Sequence, residues 1–139
     1  MLHQETNDYG VITVDNTFLS QLVRESLKPY EGKVWKANYK GKSSDFMIKL
    51  GNMDALAEQE LRESEKGIYV KIYLIVRFGQ SMSTIANKLI NDIADTVIND
   101  LEAKIDNIEV MISGVMMKKG VVKRNLVYTY KKHAEEEQQ

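Results

Sequence analysis

The sequence predicts an α+β fold, a two-layer sandwich in which a mostly antiparallel sheet carries two main helices on one face. Three observations carry this expectation. Ile68, Val70, Ile72, Leu74, Val76 and Phe78 make an unbroken apolar face of a strand, with Tyr69, Lys71, Tyr73, Ile75 and Arg77 opposite. After Gly79 the period becomes helical: Ile85, Leu89, Ile93, Val97 and Leu101 form one row, and Ala86, Ile90, Ala94, Ile98 and Ile105 lie beside it. Past Asp106 and Asn107, alternation returns at Ile108, Val110, Ile112 and Met116.

The remaining elements follow in chain order. Residues 1–8 are polar and read as a flexible tail; 9–131 read as one domain, and 132–139 as a charged flexible tail. Val11, Ile12 and Val14 start a strand. Asp15 or Asn16 can cap a helix whose face is Phe18, Leu19, Leu22, Val23, Ser26 and Leu27, and Pro29 closes it. From Lys33, the side chains of Trp35, Ala37 and Tyr39 alternate with Lys36, Asn38 and Lys40. KGKSS then turns into Phe46, Met47, Ile48 and Leu50, which predicts a hairpin. Asp54–Lys66 is rich in Glu, with weak apolar support from Leu56 and Leu61, and reads as a short exposed helix or a mobile connection. The long helix should run about five or six turns. A basic turn at 118–120 leads to a last strand-like run, VVKRNLVYTY.

Composition limits the chemistry. A chain of 139 residues, 43% of them hydrophobic, suffices for one core without staples. The absence of cysteine excludes thiolate catalysis, thiolate zinc sites and a disulfide scaffold. With 19 Lys and Arg against 20 Asp and Glu, no overall field draws the chain to nucleic acid or anionic lipid, although a local patch remains open. MLHQETNDYG does not read as a signal peptide, so the chain is expected to stay inside the cell. The longest apolar run, IYLIV, falls far short of the roughly 20 residues that span a bilayer, so membrane association would be borrowed from a partner.

No catalytic, cofactor-binding or metal-ligating residue is assigned. His3 and His133 both fall in the tails, where no rigid shell holds a base. Glu58, Glu60, Glu63 and Glu65 have few apolar neighbours to raise their acidity constants. No serine stands in a G-x-S-x-G turn. RFGQSMS offers one glycine and no lysine before Lys88, too little for a phosphate loop; Gly79 reads as a strand exit, and Ser81 or Ser83 as a helix cap. The alternative function is a small RNA-binding module, using Lys33, Lys36, Lys40, Lys42 and Lys49 with Trp35 and Tyr39. Strand parity points these rings away from Lys36 and Lys40, so nucleic acid is not the favoured partner.

The strand and helix of GIYVKIYLIVRFGQSMSTIANKLINDIADTVIND, the closing IEVMISGV and the opening YGVITVDNTFLSQLVRES resemble one family over residues 9–118: the alkaline shock proteins, the envelope stress response family common in Gram-positive bacteria. Ser83 and Thr84 stand where that family often has proline and an acidic residue, and PYEGKVW replaces a short Pro-Gly-Val turn. The resemblance implies a cytoplasmic protein without known enzymatic activity or cofactor. It also implies a homo-oligomer, held near the membrane by an anchoring protein partner. The candidate interaction surface is the second sheet face, where Tyr69, Tyr73, Ile75, Met111, Val115 and Met117 would gather if their strands are neighbours. Either a partner, or the last strand region or a middle-segment helix of the same chain, would cover it.

Overall fold

The computed structural model describes residues 3–7, 10–38 and 58–131, with side chains from residue 15 onward. Strands β1 (His3–Asn7) and β2 (Gly10–Val14) pair antiparallel as a small separate sheet. Residues 3–7 thus form a strand where a tail was expected. HQETN has no apolar period, and its pairing with β2 is a backbone property that side-chain patterning does not report.

Helix α1 (Asn16–Leu27) starts where Asp15 accepts a hydrogen bond from the Phe18 amide at 3.1 Å. It buries Leu19, Val23, Ser26 and Leu27, and a 3-10 turn, Lys28–Tyr30, carries Pro29 past its end. Strand β3 (Val34–Lys36) and strand β4 (Gln59–Ser64) lie end to end along one edge of β5 (Gly67–Arg77), both antiparallel to it. The turn and second arm of the expected hairpin, with Tyr39, fall outside the described residues. Residues 59–64 correct the expectation for the Glu-rich segment, because they form a strand rather than a helix or connection. Leu61, opposite Val70, is buried among the core residues, and Gln59 turns to α1, where its amide donates to the Asn16 carbonyl, Asn16 Oδ1 and Ser20 Oγ. One buried leucine leaves no alternation to read.

Helix α2 (Met82–Asp95) then crosses from β5 to β6 (Ile105–Met117), which pairs parallel with β5, and β7 (Gly120–Thr129) closes the sheet antiparallel to β6. The five-stranded sheet therefore runs β3–β5–β6–β7, with β4 beside β3 on the same edge. Gly79 takes a φ of 96°, and Ser81 caps α2 by accepting from the Thr84 amide at 3.3 Å, which is the joint the sequence predicts. The first row of the helical stripe holds to its end, with Val97 and Leu101 buried in the core, whereas the second row departs at Ile98 and Ile105. A π turn, Thr96–Asp100, widens the last turn; Ile98 is left 44% exposed, and Ile105 opens β6 opposite Ile68. Phe78, expected on the core face of β5, lies just beyond the strand in the turn and is 68% exposed.

Both helices lie on one sheet face. Val23 from α1, Leu89 and Ile93 from α2, and Leu74, Ile108 and Ile112 from the sheet share one buried cluster. A polar tie crosses the helix pair: Ser26 Oγ and Lys88 Nζ each donate to Asp92 Oδ2 at 2.6 Å, and Lys88 also reaches the Ser26 carbonyl at 3.0 Å. Burial would raise the Asp92 carboxyl, but the Lys88 and Ser26 hydrogen bonds and the Lys88 charge together outweigh it and hold it below its usual 3.8. The unfolded chain therefore takes up this proton first as pH falls. The stabilisation is present above the usual carboxylate value and is lost as pH drops through the folded one. Asp92→Asn should cost about 1 kcal/mol at neutral pH, a figure discounted because the pair is about a third exposed. Urea unfolding at neutral and at acid pH checks this, and the gap from the parent should close in acid.

Candidate interaction surface

Period-two geometry in the parallel pair β5–β6 decides which side chains share the face away from the helices. Tyr69 lies opposite Asn107 and Tyr73 opposite Met111, so both tyrosines, Met111 and Ile75 stand on that face. The register then shifts. Leu74 pairs with Ile112 but Ile75 pairs with Gly114, so β6 spends an extra residue, Ser113, where β5 spends none. Beyond this bulge the parity of β6 inverts. Val115 lies opposite Val76 on the helix side, and Met117, two residues on, shares that side at the strand end with 37% exposure. The structure therefore brings together four of the six sequence-predicted residues and separates Val115 and Met117 from them.

Met116 and Val121, paired across β6–β7, take the vacated positions. With Trp35 and Tyr73 they pack around Ile75 and Ala37, both fully buried. Sequence reasoning missed Met116 and Val121, because it carried one alternation through the bulge. The available signal was Gly114, since a glycine inside a strand pattern marks such a bulge. Ser113, fully buried, donates from Oγ to the Asn38 carbonyl at 2.8 Å, which brings the chain after β3 across to β6. This half of the face is thus partly covered from within the chain.

The other half is more polar. The Tyr69 hydroxyl donates to Glu109 Oε1 at 2.7 Å, and the Arg62 guanidinium stands 4.2 Å from its ring centroid. Burial first, then the Glu109 hydrogen bond and the charges of Glu109 and Glu60, push this phenol up to about 12, against a smaller opposing effect of Arg62. Lys71 Nζ sits 5.4 Å from the Tyr73 ring centroid. A half-buried strip of Tyr69, Tyr73 and Met111 results, with rings held by cations and a carboxylate. Such a strip suits packing and hydrogen bonding to a surface.

Of the lysines in the RNA-binding alternative, Lys33 and Lys36 are described, whereas Lys40, Lys42 and Lys49 fall outside. Trp35 is partly buried, paired with Ile75 across β3 and β5 and packed against it. Among the described residues no group of three or more His, Asp or Glu side chains is placed to hold a metal ion, and no helix is long and apolar enough to cross a membrane.

A family model matches residues 4–117, that of the alkaline shock protein 23 family, described by its cell envelope-related function. No curated protein and no solved structure matches the chain. The match takes in β2, α1, the β5–α2–β6 unit and the strip carried by β5 and β6. The chain belongs to the alkaline shock protein family, whose function relates to the cell envelope.

Proposed function

We propose that the protein is a noncatalytic envelope stress response protein that acts by self-association and protein–protein contacts. On this reading it works in the cytoplasm, held near the membrane by an anchoring protein. The observation that carries the reading is the strip of Tyr69, Tyr73 and Met111, aligned across neighbouring strands on the sheet face that the helices leave open. Aromatic and methionine side chains presented together on a rigid sheet are the residue types enriched in protein interfaces. The family's envelope-related function agrees with a role exercised on other proteins.

Light scattering on the purified chain tests it. The parent should be larger than a monomer, and Tyr73→Asp with Met111→Asp should reduce its mass, while circular dichroism stays unchanged. A parent that remains monomeric at high concentration would sink the proposal.

A further inference from the structure

Opposite the β4–β5 turn, the far end of the sheet gathers two loops. The Phe78 amide donates to the Met116 carbonyl at 2.9 Å and the Arg77 amide to the Lys33 carbonyl at 2.9 Å, so the exit of β5 is tied to both neighbouring segments. Between this exit and the β6–β7 turn opens a cleft of about 890 Å³. Its walls are apolar: Phe78, Met116, Met117, Val121 and Val122. Three of these project to solvent, Phe78 at 68%, Val122 at 56% and Met117 at 37% exposure.

Among the described residues, every charged side chain lining the cleft is a cation, namely Arg77, Lys118 and Lys119. None of the three forms an ion pair among the described residues. Among the described residues, this end thus combines positive charge with exposed apolar surface. Taken together, these features describe what an anionic lipid surface offers in layers, phosphates above and hydrocarbon below. Long lysine and arginine side chains reach back to the phosphate level while the apolar side chains enter beneath it.

We propose that this end of the molecule docks directly on anionic phospholipid, with Arg77, Lys118 and Lys119 meeting lipid phosphates and the Phe78–Met117–Val122 cleft admitting acyl chain. The inference goes beyond self-association through the open sheet face and does not depend on it, because the two surfaces use different residues. An acidic protein segment is the competing occupant. It would satisfy the cations, but it gives no reason for apolar side chains to project around the cleft.

Cosedimentation with vesicles tests the docking on the full chain. Vesicles of equal parts phosphatidylglycerol and phosphatidylcholine should bind it, phosphatidylcholine alone should not, and salt should weaken the binding. Lys118→Gln with Lys119→Gln should weaken it about thirtyfold, and Phe78→Ser should weaken it as well. Lys66→Gln with Lys104→Gln, an equal charge change at the opposite end of β5 and β6, should leave it unchanged. Equal loss in this control pair, equal binding to both vesicle types, or no vesicle binding together with capture of polyglutamate would each overturn the proposal. Light scattering on the same variants keeps the two readings apart, since loss of lipid binding at unchanged mass concerns the cleft alone.

Discussion

Gly67→Ala is expected to be among the most damaging single substitutions in the chain, costing about 3 kcal/mol or more of folding stability. The residue opens β5 at a φ of 119°, outside the conformations L side chains favour. A Cβ there would stand 2.6 Å from the Lys104 carbonyl oxygen, 2.7 Å from its carbon and 2.9 Å from the Asp106 amide nitrogen. All three are backbone atoms and cannot swing aside. The Lys104 oxygen also accepts from the Ile68 amide at 2.9 Å, so relief of the clash would pull apart the start of the β5–β6 pairing. Gly79 supplies the comparison, because its φ is 96° but no atom of the described residues lies within 4 Å of a Cβ built on it. Gly79→Ala should therefore cost about 1–2 kcal/mol, from conformation alone. Urea midpoints of the two variants measure the difference, and equal costs would mean that close approach at Gly67 is irrelevant.

Leu89→Ala should lower stability by about 3 kcal/mol, within the range for emptying a buried leucine site. Leu89 is completely buried on α2, inside the cluster that joins both helices to β5 and β6. A close-packed cluster of this kind relaxes only partly around a deleted side chain, so collapse of the resulting cavity is restricted. Ile98→Ala, on the same sequence stripe but 44% exposed, should change stability by about 0.5 kcal/mol or less. Thermal or urea unfolding of both variants checks the contrast. Similar losses would show that the π turn fails to rotate Ile98 off the core.

These pairs mark how far the sequence could be read. Strand β5 and helix α2 were legible because burial on one face imposes a strict period on many residues in succession. Leu74, Val76, Leu89 and Ile93 could be assigned to the core from spacing alone. Strand β4 was not legible, since only Leu61 and the hydrogen-bonded Gln59 report its inner face. Strand β1 was not legible either. The candidate face was half legible: Tyr69, Tyr73, Ile75 and Met111 follow from uninterrupted alternation, whereas Val115 and Met117 lie beyond the bulge that reverses it.

By itself the sequence determined the α+β class, the Gly79 and Ser81 joint between β5 and α2, most of the helix-facing core, and the resemblance that the family match bears out. These depend on local conformation and on repeated burial, which each residue reports independently. Only the tertiary structure decided that β3 and β4 share one edge of β5, that Ser113 inverts the face of β6, and that Phe78, Met117 and Val122 meet beside Arg77, Lys118 and Lys119. Those outcomes depend on strand order and on register between distant segments. A single slipped residue moves every later side chain to the opposite face, and composition and spacing within one segment carry no record of that slip.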